Sequence, residues 1–166
     1  MGGVNVAGDL DFYQFNALAG DRMWAYVYTQ GATSSSDSQL TFATTGATAI
    51  QFDDDNGSQA TLSSGTAGAP VPSTGAFQMK VNAFSATGTI VPYTLFLDRT
   101  TAPAVPEVEP NDTTGTANAF AMGSVASGAI PTVGDLDTFS LGVLTAGERL
   151  VIQAVGDPQP DTTALN

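Results

Sequence analysis

A stretch near the start of the chain, GGVNVAGDLDFYQF, returns near its end as SGAIPTVGDLDTFSL, and this repeat constrains the fold more than any other feature. Setting Gly134-Asp135-Leu136-Asp137 on Gly8-Asp9-Leu10-Asp11 gives an offset of 126 residues and places Ile130 on Val4. After one inserted residue, Thr145-Ala146-Gly147-Glu148-Arg149-Leu150 matches Leu18-Ala19-Gly20-Asp21-Arg22-Met23. A unit of this length is a domain rather than one turn of a solenoid. The two copies are cut differently, since only the second is preceded by the acidic run Glu107-Val108-Glu109-Pro110-Asn111-Asp112 and only the first runs on through later strands. The expected organisation is one nearly complete module over residues 1–100, a Pro-rich linker over 101–106, and the N-terminal part of a second module over 107–166.

Within the first copy, period-two alternation dominates. Residues 22–29 put Met23, Ala25 and Val27 on one face and Trp24, Tyr26 and Tyr28 on the other. The second copy keeps the first face apolar (Leu150, Ile152, Ala154), which marks it as the core face and leaves the aromatic stripe pointing outward or toward a neighbour. Further strands are expected over 11–15, 39–44, 49–52, 75–84 and 90–97, with Phe77, Met79 and Val81 on one face and Tyr93, Leu95 and Leu97 on another. Residues 58–74, small, polar and holding two prolines, read as a long loop with a short strand near Ala60 to Leu62. Many short strands and no credible helix predict an all-β fold, an antiparallel β-sandwich.

Charge and composition narrow the chemistry. Sixteen acids against four bases give a formal net charge of −12, which disfavours nucleic acid and anionic membrane surfaces as partners, because both require clustered Lys and Arg. The absence of both Cys and His removes disulfides, thiolate and imidazole catalysis and the usual zinc and copper sites. Oxygen ligation remains, and oxygen suits calcium. No run approaches a membrane span, and MGGVNVA has neither the basic nor the apolar region of a signal peptide, so any export signal is expected outside this stretch. Abundant Gly, Ser, Thr and Ala with few charges is a composition usual for secreted or surface β proteins.

Glu109-Pro110-Asn111-Asp112, an Ala-rich segment, a Gly, Gly134-Asp135-x-Asp137-x-Phe139, and Ala146-Gly147-x-x-Leu150-x-Ile152 occur in that order in the second copy. The first copy adds Asp9 and Asp11, Tyr13-x-Phe15, Gly20, Asp37-x-x-Leu40, the Asp53-Asp54 turn, Gly75-x-Phe77-x-Met79-x-Val81 and Tyr93-x-Leu95. Together these resemble the bacterial pre-peptidase C-terminal domain, over nearly the whole chain in two overlapping pieces. The resemblance implies a secreted, non-catalytic β-sandwich of jelly-roll character, related to the collagen-binding domains of clostridial collagenases. Those relatives bind calcium through an acidic N-terminal segment and an Asp pair before a strand, which implies Glu107, Glu109, Asn111, Asp112, Asp135 and Asp137 as metal ligands here. Asp9 and Asp11 are the corresponding pair of the first copy, without the acidic run ahead of them.

Each motif has a plainer reading beside the functional one. Glu107 to Asp112 can be a solvated linker and each Gly-Asp-Leu-Asp an Asx-type turn. Asp53 to Gly57 lacks the glutamate and flanking helices of an EF-hand loop and reads as a turn. A glycosidase pair made of aspartates two residues apart, with no cleft in evidence, is disfavoured. A Ser-His-Asp triad is impossible, and the only lysine, Lys80, sits mid-strand in an alternating pattern. Trp24, Tyr26 and Tyr28 can stack on a ligand or pack against a strand layer or a neighbouring module.

The expected function is a non-catalytic, extracellular, calcium-binding repeat with a structural or adhesive role in a filament or cell-surface layer. Its partners would be further repeats or copies of the same chain, because residues 107–130 of one molecule could complete the first module of the next by strand exchange. The alternative is a targeting module of a secreted hydrolase, with Trp24, Tyr26 and Tyr28 docking an extracellular polysaccharide or fibrous protein.

Overall fold

The computed structural model describes residues 1–33, 36–55, 62–101 and 103–148, together with Leu150, Ile152 and Ala154. Between Gly2 and Thr100 the chain forms β1 (Gly2–Val4), β2 (Asp11–Ala17), β3 (Arg22–Tyr28), β4 (Ser38–Thr44), β5 (Ala49–Asp53), β6 (Gly65–Pro70), β7 (Gly75–Ala83) and β8 (Ile90–Thr100). These strands make two four-stranded sheets, ordered β1-β8-β3-β6 and β2-β7-β4-β5. First pairs with eighth, second with seventh, third with sixth and fourth with fifth, all antiparallel. A long antiparallel ribbon rolled over itself gives this order, which is the jelly roll. The expected all-β antiparallel sandwich is therefore the fold of the first unit.

The core follows the alternation. Met23, Ala25 and Val27 on β3, with Val4, Ile90 and Tyr93 from its sheet, are buried together with Leu40, Phe42, Phe77, Met79 and Val81 of the other. Phe15, Phe42 and Phe77 form one aromatic cluster, with ring centroids 5.6–6.4 Å apart. Leu97, expected on the face of Tyr93, is instead exposed at the outer end of β8.

Two strands escaped the pattern. β1 is only three residues long, and β6 falls inside the segment read as a loop. Gly65-Thr66-Ala67-Gly68-Ala69 carries no large apolar residue to reveal its period, yet all five residues are buried. Its smallness has a structural reason. β3 and β6 shift register between Met23 and Ala25, and there Gly68 takes φ +64° under the Trp24 ring. A Cβ on Gly68 would lie 2.9 Å from Trp24 Cζ2. The short strand expected at Ala60 to Leu62 lies mostly outside the described residues, and Leu62 itself is in a turn.

Where the chain passes from β5 to β6 it changes sheets, and buried polar groups hold that corner. Asp53 accepts the Gly65 N–H at 2.6 Å, and the Ser38 and Ser64 hydroxyls hydrogen-bond at 2.8 Å.

The two compact units of the chain are Met1–Arg99 and Thr100–Ile152. In the second, β9 (Val105–Pro106) pairs with β11 (Ala126–Ser127), and β10 (Asn118–Ala119) with β12 (Phe139–Ser140), both parallel rather than antiparallel. The expected linker thus ends inside a ladder. Val105 and Glu107 donate to the Val125 and Ser127 carbonyls at 2.8 Å each, and Pro106, which has no N–H, takes the outward position between them. The second copy's strand at 150–155 lies largely outside the described residues, and Leu150 and Ile152 are exposed. No helix among the described residues is long and apolar enough to cross a membrane.

Candidate metal centre

Parallel pairing of β9 and β11 sets Val105 beside Ala126 and Pro106 beside Ser127, so the next residues, Glu107 and Gly128, leave the ladder side by side. A side chain at 128 would have to push the Glu107 and Asp137 carboxylates aside. An added Cβ would stand 2.6 Å from Glu107 Oε2 and 2.9 Å from Asp137 Oδ2. The Ala129 N–H donates to Glu107 Oε1, which anchors that carboxylate over the end of β11.

Asn111 ties the acidic run to the Asp pair. Its side chain is fully buried, and its backbone and amide oxygens both accept from the Thr138 N–H, at 3.2 and 3.4 Å. Its backbone N–H donates to Glu109 Oε2 at 3.0 Å and its side-chain NH2 to Glu107 Oε2 at 3.3 Å. One residue on, Asp112 accepts the Leu136 N–H at 3.3 Å, inside the Gly134-Asp135-Leu136-Asp137 turn.

This framework brings Glu107, Glu109 and Asp137 together, with one carboxylate oxygen of each within 4.8 Å of the others. Oxygens sharing one calcium at about 2.3–2.6 Å can be at most about 5 Å apart, so this spacing admits such an ion. Among the described residues, buried side-chain atoms without a hydrogen-bond partner include Asp135 Oδ2 and Asp137 Oδ1. Asp137 is held above the ordinary aspartate range, first by burial, then by the charge of Glu107 and a hydrogen bond with it, then by Asp135 and Glu109. Orphaned carboxylate oxygens among mutually repelling acids, with no Cys or His, fit a hard oxygen-loving cation. Glu107, Glu109 and Asp137 would hold it, with the Asp135 charge beside them. Asn111 turns its NH2 toward Glu107 and acts as a brace for the carboxylates.

Asp9 and Asp11 of the first copy are engaged elsewhere. Asp9 Oδ2 accepts the Asn5 N–H at 2.9 Å, and Asp11 Oδ2 accepts the Tyr93 hydroxyl, which also bonds Tyr13 at 2.7 Å. Burial, then the bond to Asp11, holds the Tyr93 phenol far above its ordinary range.

The aromatic stripe lies along its own sheet. Trp24 covers Gly68, Tyr26 stacks on Phe96 at 4.4 Å and 11°, and the Tyr28 hydroxyl donates to Gln30 at 2.7 Å. All three rings are half-buried.

Of the centre's parts, Gly128, Ala129 and Thr138 escaped sequence reasoning. Nothing in Ser127-Gly128-Ala129 signals that carboxylates stand opposite, because the approach comes from a ladder partner about twenty residues away. No protein-family model matches the chain, and no protein of characterised function matches it.

Proposed function

We propose that this chain is a non-catalytic, calcium-binding β-sandwich repeat of the pre-peptidase C-terminal type, acting outside the cell as a structural or adhesive element. The observation that carries the calcium reading is the gathering of Glu107, Glu109 and Asp137 within 4.8 Å, beside two buried carboxylate oxygens that lack partners. A cation that binds only the folded state stabilises it by mass action, about 2.7 kcal/mol at a hundredfold excess over Kd.

Assembly by strand exchange draws support from the way the repeated strand is used. In the second copy, β12 takes a parallel neighbour from the N-terminal segment, through the Thr138 and Ser140 carbonyls. In the first copy the matching strand, β2, lies at the end of its sheet with only β7 beside it among the described residues, and its Phe12 is 52% exposed. Residues 107–130 of a second molecule would add to that edge, with the Phe12 and Gln14 carbonyls as acceptors. Such a contact is head-to-tail and builds a chain of molecules rather than a closed dimer. The polymer-targeting alternative draws less support, since the Trp24 and Tyr26 rings are already occupied by Gly68 and Phe96.

The test is thermal melting and light scattering in calcium and in EDTA. A higher melting temperature with growth in mass in calcium supports both parts. An unchanged melt removes the calcium reading, and a monomer at high concentration in calcium removes strand exchange.

A further inference from the structure

The acidic turn after β5 gains a partner that its own sequence does not contain. β4 and β5 pair with Leu40 opposite Asp53, so the chain entering β4 and the chain leaving β5 emerge at one end of the pair. Asp37 immediately precedes β4, and Asp54 and Asp55 immediately follow β5. One carboxylate oxygen from each of the three lies within 4.8 Å of the others. Asp53 takes no part, because its carboxylate accepts the Gly65 N–H.

Three neighbouring acids would by themselves mean only a charged surface. Asp54 is different: it is 5% exposed, and its Oδ1 is closed off from solvent with no hydrogen-bond partner among the described residues. Gln39, whose Oε1 is fixed by Asn82 Nδ2 at 2.7 Å, donates to its carboxylate. That leaves an anionic oxygen out of water on a residue whose carboxylate stands within 4.8 Å of two others, an arrangement that a proton or a cation relieves. Asp54 and Asp37 are both held above the ordinary aspartate range, by burial first and by the charge of Asp55 next.

We infer that the open end of the β4–β5 pair is a second divalent-cation site, in which Asp37, Asp54 and Asp55 bind a hard oxygen-seeking ion of the calcium class. The donor set is carboxylate only, and the spacing again matches oxygens that share a calcium. The site belongs to the first unit and shares no residue with the Glu107 centre, so either stands if the other fails. A cation here would pin the end of β5 against the start of β4, at the corner where Asp53 and Ser38 hold the change of sheet.

The test is a calcium chloride titration of the whole chain followed by backbone-amide NMR, repeated in a Glu107→Gln/Asp137→Asn variant that disables the other centre. Saturable shifts are expected at Asp37, Gln39, Asp54 and Asp55 in both proteins. Asp54→Asn should weaken that binding at least about tenfold, the loss of one of three charged ligands, and leave the shifts around Glu107 unchanged. Should Asp54→Asn disturb folding, Asp55→Asn, at an exposed position, gives the same readout. Two results would overturn the proposal: shifts that track ionic strength without saturating by about 10 mM calcium, beyond the weak extracellular range, or saturable shifts that neither variant weakens.

Discussion

The two Gly-Asp-Leu-Asp segments fold alike and end differently. Gly8 and Gly134 both take positive φ, and Asp9 and Asp135 donate their N–H groups to Val6 and Thr132 three residues back. The following turns also match. Asp21 donates to Leu18 and accepts its N–H at 2.8 Å, while Glu148 donates to Thr145 and accepts its N–H at 2.9 Å. Side-chain fates then diverge. Asp11 accepts a buried tyrosine hydroxyl, whereas Asp137 stands against Glu107 with an oxygen unpartnered. Met23 is 1% exposed beneath the opposite sheet, and its counterpart Leu150 is 37% exposed. Turns are written locally and repeat faithfully, while the chemistry of a carboxylate depends on which distant segment arrives beside it.

Removing the distant partner should break the first copy hardest. Tyr93→Ala deletes a fully buried ring and the donor to Asp11, and should cost about 3–5 kcal/mol in denaturant unfolding of the first unit. Asp11→Ala should cost about 1.5–3 kcal/mol, the range for a hydrogen bond to a charged group, and should leave the calcium response of the second copy intact. The equivalent change in the second copy, Asp137→Asn, should have the opposite sign. In EDTA it relieves repulsion and slows amide exchange at Phe120 and Thr138, and in calcium it abolishes the stabilisation. Equal losses from the two substitutions would show that the segments play one role. Gly128→Ala should change stability in EDTA little, because the Glu107 and Asp137 carboxylates can move aside, and should show itself as weaker calcium binding.

The fold was legible where large side chains alternate and illegible where they do not. Met23 to Val27 and Phe77 to Val81 declare a core face, and the eight-strand order follows once each strand finds its mirror partner. β6 is silent because its glycines and alanines carry no period, and at Gly68 the Trp24 ring leaves no room for a side chain. The candidate metal centre was half legible. A compact acidic run and an Asp pair announce themselves, but Asn111 as a brace and Gly128 as a close approach depend on parallel pairing across the second unit. Asp37 with Asp54 and Asp55 was less legible still, because its members meet only when β4 and β5 close.

The finest probe of the difference is pH. Asp137 in the folded chain is raised above the ordinary 3.8, by burial first and then by Glu107, so the native state binds its proton more tightly than the unfolded chain does. Stability from this group is therefore complete below about 3.8 and is lost as pH rises through the higher native value. In EDTA, amide protection at Thr138 should increase on acidification into that window, and Asp137→Asn should flatten the response. Calcium must reverse the sign, since its ligands have to be deprotonated and acid then expels the metal. Asp54 and Asp37 are raised as well, so the global melt mixes several groups and the local amides are the better reporters. Protection at Thr138 that grew with pH in EDTA, unaltered in Asp137→Asn, would mean that these acids do not repel one another, and the case for a cation among them would fall with it.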